Sequence, residues 1–164
     1  MSLAPDVTDA RELVRIAGMS ATEVIAALQM EPLEGEGVWI APIFRSAHGS
    51  AIYALLTPEG FSALHRLDED ELWVHVAGAP IRMLLLHPDG SVEEPLLGPD
   101  VAGGHRMTHL VPAGAWQGSG VEGPWGLVVC SLAPPFSGLT LADSTTDLSR
   151  WSAAESRIRA LIRD

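Results

Sequence analysis

The chain has 164 residues, 47% of them hydrophobic, and a formal net charge of −11. That length and apolar content suit one folded unit around a single core, and the acidic balance argues against nucleic acid or an anionic membrane as partner, because both select a basic face. All ten basic residues are arginine, which excludes Schiff-base catalysis, pyridoxal phosphate enzymes and the phosphate loop ending in Gly-Lys-Ser/Thr.

Cys130 is the only cysteine, so neither an intrachain disulfide nor a Cys-rich zinc site is available. The first fifteen residues lack a basic stretch followed by an apolar run, and no segment reaches roughly 18 uninterrupted apolar residues. A cytoplasmic protein is expected.

From Thr8 to Leu28 the apolar residues Leu13, Val14 and Ala17, then Val24, Ile25 and Leu28, recur at helical spacing, with Gly18 between the groups. Two short helices within 8–29 are predicted, packed as a lid, with Ser20 capping the second. From Val38 the texture changes to short apolar runs: VWIAPIF, AIYALL, ELWVHVAG, PIRMLLL, HRMTHLV and WGLVVCSL. Turn signals AHGS, TPEG, HPDG, GPD and VEGP separate them. This pattern favours an all-β sandwich or barrel over a parallel βαβ sheet. The HPDG segment, His87 to Gly90, is a tight-turn candidate. Past Ala142 helical spacing returns through Leu148, Trp151, Ile158, Leu161 and Ile162, predicting a C-terminal helical extension over 145–163.

Within this β-rich region two segments carry a recognisable pattern. Gly60 to Gly78, GFSALHRLDEDELWVHVAG, and Pro112 to Gln117, PAGAWQ, resemble the paired signatures of the cupin superfamily. His65, Glu71 and Gly78 match the first signature, while Leu67 stands at its second His position and Gln117 at the final His position of the second signature. The blocks GVWIAPIFRSAHGSAIYALLTPEGFSALHRLDEDELW, LLLHPDG, LLGPD, VPAGAWQ and LVVCSLAPPF follow, in order, those of the small cupin type 5 family, a domain of unknown function. The resemblance implies an all-β jelly-roll barrel over about 37–143, often a homodimer, with a lumen that receives a small organic molecule. The whole chain, 1–164, then reads as one cupin domain with helical extensions.

The chain departs from the family inside the expected lumen. The acidic position of the family's Gly-Gly-Tyr-Phe-x-Glu block falls on Pro42, which removes one acid/base candidate. The Trp-His pair after the signature Glu becomes Trp73-Val74, with the imidazole one step later at His75. The Gln expected before the second signature is Thr108, followed by His109.

Strand alternation places Glu71, Trp73 and His75 on one face, and His65 shares that parity if no bulge intervenes. If Glu71 points inward, as the resemblance implies, these groups converge on one cavity. Glu71, His75 and His65 are therefore the catalytic candidates for proton transfer, because burial raises a carboxyl pKa towards that of imidazole. Gln117, Trp73, Trp116, Tyr53, Arg45 and His109 are the candidates for substrate contact.

The expected activity is isomerase, epimerase, cyclase or lyase chemistry on a small organic substrate, cofactor-free or simply assisted by a divalent metal. One alternative is a metal-dependent oxygenase or oxidoreductase, for which His65, Glu71 and Gln117 would ligate a divalent ion, with His75 as a fourth ligand. The other is a ligand-binding barrel without catalysis.

Overall fold

The structure, a computed structural model, describes residue 16 and residues 18–163. The first of the two expected N-terminal helices lies outside the described residues. The second is α1, Ala21–Ala27, and it starts where the sequence provides a cap. Ser20 Oγ accepts from the Glu23 backbone N–H at 3.3 Å, and Glu23 Oε2 accepts from the Ser20 N–H at 2.7 Å. This reciprocal pair satisfies two of the donors a helix start leaves open.

Twelve strands follow: β1 (Glu31–Pro32), β2 (Trp39–Arg45), β3 (Ser50–Leu56), β4 (Ser62–Arg66), β5 (Glu71–Gly78), β6 (Ile81–Leu86), β7 (Val92–Glu93), β8 (Leu96–Leu97), β9 (Thr108–Val111), β10 (Trp116–Val121), β11 (Gly126–Leu132) and β12 (Thr140–Leu141). They form two six-stranded sheets. One runs β1-β2-β3-β11-β5-β9; the other runs β12-β4-β10-β6-β7, with β8 paired to β6. The named strand pairs are antiparallel, and the inner faces of the two sheets enclose the barrel. HPDG forms the turn between β6 and β7: His87 N–H donates to Ser91 O at 2.9 Å, and Gly90 takes φ +94°.

Alternation along each strand divides the apolar residues into three clusters. Between the sheets, Leu56, Trp73, Ile81, Met83, Leu85 and Val128 fill one part of the barrel. Their neighbours Leu84 and Leu86 face the other way and meet Leu64, Trp116, Trp151 and Ile158 beneath the C-terminal segment. On the outer face of the first sheet, Leu55, Trp125 and Leu127 pack against Val24 of α1 and Met30. Each leucine removed from water this way contributes about 1.5–3 kcal/mol.

The C-terminal segment is less regular than the sequence predicts. It forms a 3-10 helix, Ser149–Ala154, and a short α-helix, α2, Glu155–Arg159. The backbone kinks at Trp151 (φ −108°, ψ 35°), whose indole Nε1 donates to His87 O at 3.1 Å. No helix among the described residues is long and apolar enough to cross a membrane.

Candidate functional site

A cavity of about 250 Å³ lies within the barrel. Glu36, His65 and Glu71 line it together with apolar side chains, among them Val38, Leu67, Trp73, Cys130 and Leu132. Its rim includes the exposed Phe44, Arg45 and Phe136.

Glu71 opens β5 and projects into this space with Trp73, two residues further along the same face. Its Oε2 accepts from Trp73 Nε1 at 3.0 Å and from Gln117 Nε2 at 2.8 Å. Burial pushes the carboxyl above its usual range, and the Glu36 charge adds to the rise. His65 and the two hydrogen bonds act against it. Because both nitrogen donors are on Oε2, the proton of a neutral Glu71 belongs on Oε1. An ionised Glu71 would be a strong base, since few other groups solvate its charge.

His65 lies on β4 directly opposite Gln117 of β10. Its Nδ1 is 2.7 Å from Ala63 O, and a carbonyl only accepts, so Nδ1 carries hydrogen and the neutral ring keeps its lone pair on Nε2. Glu36 Oε1 stands 3.8 Å from the same Nδ1 and accepts from Ser62 Oγ at 2.7 Å.

Glu36 is the lumen group that sequence reasoning missed. With Pro42 at the family's acidic position, the barrel was expected to lose a carboxyl, yet the loop before β2 supplies one. Gly35 and Gly37 flank it at φ +81° and +97°, a region side chains disfavour. Its carbonyl accepts from Ala63 N–H at 3.0 Å and from Arg163 Nε at 3.1 Å, which fixes the loop against β4. An acidic residue between two glycines just ahead of the first barrel strand was the available signal.

The other candidates divide. Arg45 lines the rim of the cavity, with Nη2 donating to Phe136 O at 2.9 Å. Gln117 meets Glu71 directly. His75 shares the inward face of Glu71 but lies outside this cavity: its Nε2 is 3.2 Å from Ala79 O, and burial, with His105 nearby, holds the imidazole below its usual pKa. The expected convergence of His65, Glu71 and His75 is thus corrected to His65, Glu71 and Glu36.

Trp116 also falls outside the cavity. It packs in the cluster under the C-terminal segment, where the Arg66 guanidinium lies 5.0 Å from its ring centroid. Tyr53 faces away from the lumen, towards the cluster beneath α1. His109 sits at a separate surface group, its Nδ1 accepting from Arg106 Nη1 at 2.9 Å and its Nε2 3.8 Å from Glu93.

The set His65, Glu71 and Gln117 does not make a divalent-metal site as placed. Gln117 turns its amide nitrogen to Glu71 and leaves its own Oε1 buried without a partner, Glu71 Oε2 already accepts two bonds, and Leu67 replaces an imidazole on the cavity wall. Among the described residues no group of three His, Cys, Asp or Glu side chains is disposed around a common ion position.

Fold and lumen together define a small cupin barrel. The chain belongs to the family described as "Cupin superfamily (DUF985)", whose model matches residues 22–141. A protein from Shewanella oneidensis is 29% identical, with a TM-score of 0.82 over 88% of this chain and 98% of that one. A hypothetical protein from Leishmania major is 26% identical, with a TM-score of 0.81 over 89% of this chain and 100% of that one. The polyketide cyclase RemF from Streptomyces resistomycificus shares the fold at 12% identity and a TM-score of 0.53, over 84% of this chain and 95% of its own. No match was found among the curated proteins.

Proposed function

We propose that this cupin binds a small organic molecule in its lumen and catalyses an acid/base rearrangement of it, of the isomerase, epimerase, cyclase or lyase kind. The observation that carries this reading is the placement of Glu71: a buried carboxyl lining the cavity, its Oε2 fixed by Trp73 and Gln117.

In this mechanism neutral Glu71 donates its proton from Oε1 to the bound substrate. Trp73 and Gln117 then stabilise the carboxylate through their bonds to Oε2. Its desolvated charge makes it ready to take a proton back from another position on the same molecule. His65, with its tautomer fixed by Ala63, offers Nε2 as a second acceptor. The apolar walls exclude water and hold the substrate near these groups, so proximity supplies part of the acceleration. The fold shared with the polyketide cyclase RemF is compatible with such chemistry on this scaffold.

A metal-dependent oxygenase reading has less support because the lumen lacks a fitting donor set. Loss of the family's acidic position to Pro42 would favour a carrier without catalysis, but Glu36 restores a second carboxyl to the cavity.

The experiment is a mass-spectrometric comparison of small-molecule extracts incubated with wild-type protein and with Glu71→Gln. At least one species should be consumed by the wild type, and Glu71→Gln should bind it while losing about 10²–10⁴-fold in turnover, the range for an acid/base group. Consumption at the wild-type rate by Glu71→Gln would remove Glu71 from the mechanism.

A further inference from the structure

Once Glu71 has given up its proton, the cavity is rich in acceptors and poor in free donors. Glu36 Oε1 takes the Ser62 hydroxyl, and Glu71 Oε2 takes both Trp73 and Gln117. The other oxygen of each carboxyl, Glu36 Oε2 and Glu71 Oε1, accepts no bond from a nitrogen or oxygen donor among the described residues; the buried Cys130 thiol, a weak donor, is the remaining group beside Glu71. Neither is among the buried side-chain atoms sealed off without a partner, which are Glu69 Oε2, Gln117 Oε1 and Ser119 Oγ. Both residues line the cavity and are more than nine-tenths buried. The nitrogen donors of the inner wall are engaged: His65 Nδ1 with Ala63 O, Trp73 Nε1 and Gln117 Nε2 with Glu71. Arg45 stands at the exposed rim and donates to Phe136 O.

We infer that the guest of this lumen is a small amine with an apolar body, held as its ammonium between the ionised carboxylates of Glu36 and Glu71, the Oε1 proton of a neutral Glu71 passing to the amine nitrogen as it binds. The inference rests on reading the lumen as the binding site and names the class of molecule it takes. An ammonium brings three N–H donors and no acceptor, which is what two open carboxyl oxygens lack, and its charge offsets that of buried carboxylates. A carboxylate guest would add a third acid beside Glu36 and Glu71, and like charges in a buried site oppose ionisation. A neutral alcohol supplies one donor and leaves the second oxygen open. The apolar walls suit a hydrocarbon body.

The test uses three ligands of one shape, cyclohexylamine, cyclohexanol and cyclohexanecarboxylate, titrated calorimetrically into the full chain at neutral pH. The Trp73 indole N–H signal in NMR reports whether binding occurs in the lumen. The amine is expected to bind about tenfold or more tightly than the alcohol, the difference of one charge-assisted bond, and to shift the Trp73 signal. Glu36→Gln should reduce amine affinity by about tenfold and alcohol affinity by distinctly less, since the alcohol carries no charge to lose a partner for; if that variant does not fold, Glu71→Gln is read the same way. Equal or tighter binding of the alcohol or the carboxylate, with the Trp73 shift, would overturn the amine inference and leave the lumen reading intact. Amine binding without that shift would overturn both. Failure of the amine to bind would overturn the inference alone.

Discussion

The side-chain amide of Gln117 donates to Glu71 Oε2 at 2.8 Å, joining the two sheets through the barrel interior. Gln117 occupies the position where the cupin signature has its last histidine, and Glu71 is the signature carboxylate. Two residues that would share a metal in a metal-binding cupin instead bond to each other. The bond orients the carboxyl and couples it to the second sheet.

Gln117→Leu keeps the approximate volume and removes the donor. A hydrogen bond contributes about 0.5–1.5 kcal/mol to a neutral carboxyl and about 1.5–3 kcal/mol to an ionised one, so urea denaturation should show a loss that grows as pH rises through the Glu71 titration. The same variant should raise the Glu71 pKa further, because the Gln117 bond is among the influences that lower it. An unchanged urea midpoint would show that the bond adds nothing to the folded state.

Glu71 should also give the stability a distinct pH dependence. Burial raises its carboxyl above the ordinary 4.5, so between that pH and the folded-state value the native protein holds a proton that the unfolded chain releases. Its contribution to stability is complete below the unfolded value and declines as pH rises through the folded one. Glu71→Gln removes the titration and keeps an oxygen to accept from Trp73 and Gln117. The variant should therefore melt above wild type at pH 8, with the advantage shrinking as pH falls to 4. A difference independent of pH would contradict the raised carboxyl.

Much of the barrel was legible because each signal was local. Apolar runs between turns marked the principal strands, Ser20 marked the start of α1, and alternation correctly paired Glu71 with Trp73. Parity also held the answer for Trp116: it adjoins Gln117, and neighbours on a strand face opposite sides, so both were never able to enter the lumen. His75 has the right parity but lies four residues beyond Glu71, about 13 Å along an extended strand, and distance along the barrel axis is invisible to alternation. Glu36 was hidden for another reason. Its direction is set by contacts with Ala63 and Arg163, which are remote in sequence.

Removal of divalent ions should leave the protein unchanged. Gln117 turns its nitrogen to Glu71, and Leu67 stands where a second imidazole would complete the donor set, so folding does not depend on ion binding as it does in a structural metal site. Dialysis against a chelator is expected to preserve the melting temperature, and readdition of zinc or manganese to leave it in place. A drop on chelation, reversed by one ion, would restore the metal-dependent reading.

Cys130 lines the cavity yet should not behave as a reactive thiol. Burial holds its pKa well above 9, and the Glu71 and Glu36 charges push in the same direction. The thiolate that attacks disulfide reagents is therefore scarce. Labelling by an aromatic disulfide at pH 8 should be slow in the native state and become fast in denaturant. Rapid stoichiometric labelling of the folded protein would mean that the lumen admits the reagent and stabilises the anion.

Gly78, the glycine that closes the first signature, permits a separate test of the fold. Its φ is +81°, and a Cβ at this position would lie 2.5 Å from Trp125 O and 2.6 Å from the indole ring. Trp125 has little freedom to retreat: its Nε1 donates to Met19 O at 2.9 Å, its carbonyl accepts from Ala79 N–H at 2.8 Å, and its ring is packed beneath α1. Gly78→Ala should cost about 2–4 kcal/mol, combining left-handed backbone strain with an overpacked contact. Gly104 provides the control, since its φ is +96° but a Cβ there would meet nothing within 4 Å. Gly104→Ala should lose only the strain, about 1–2 kcal/mol. The difference between the two denaturation midpoints therefore measures the Trp125 contact, and equal losses would show that the indole gives way.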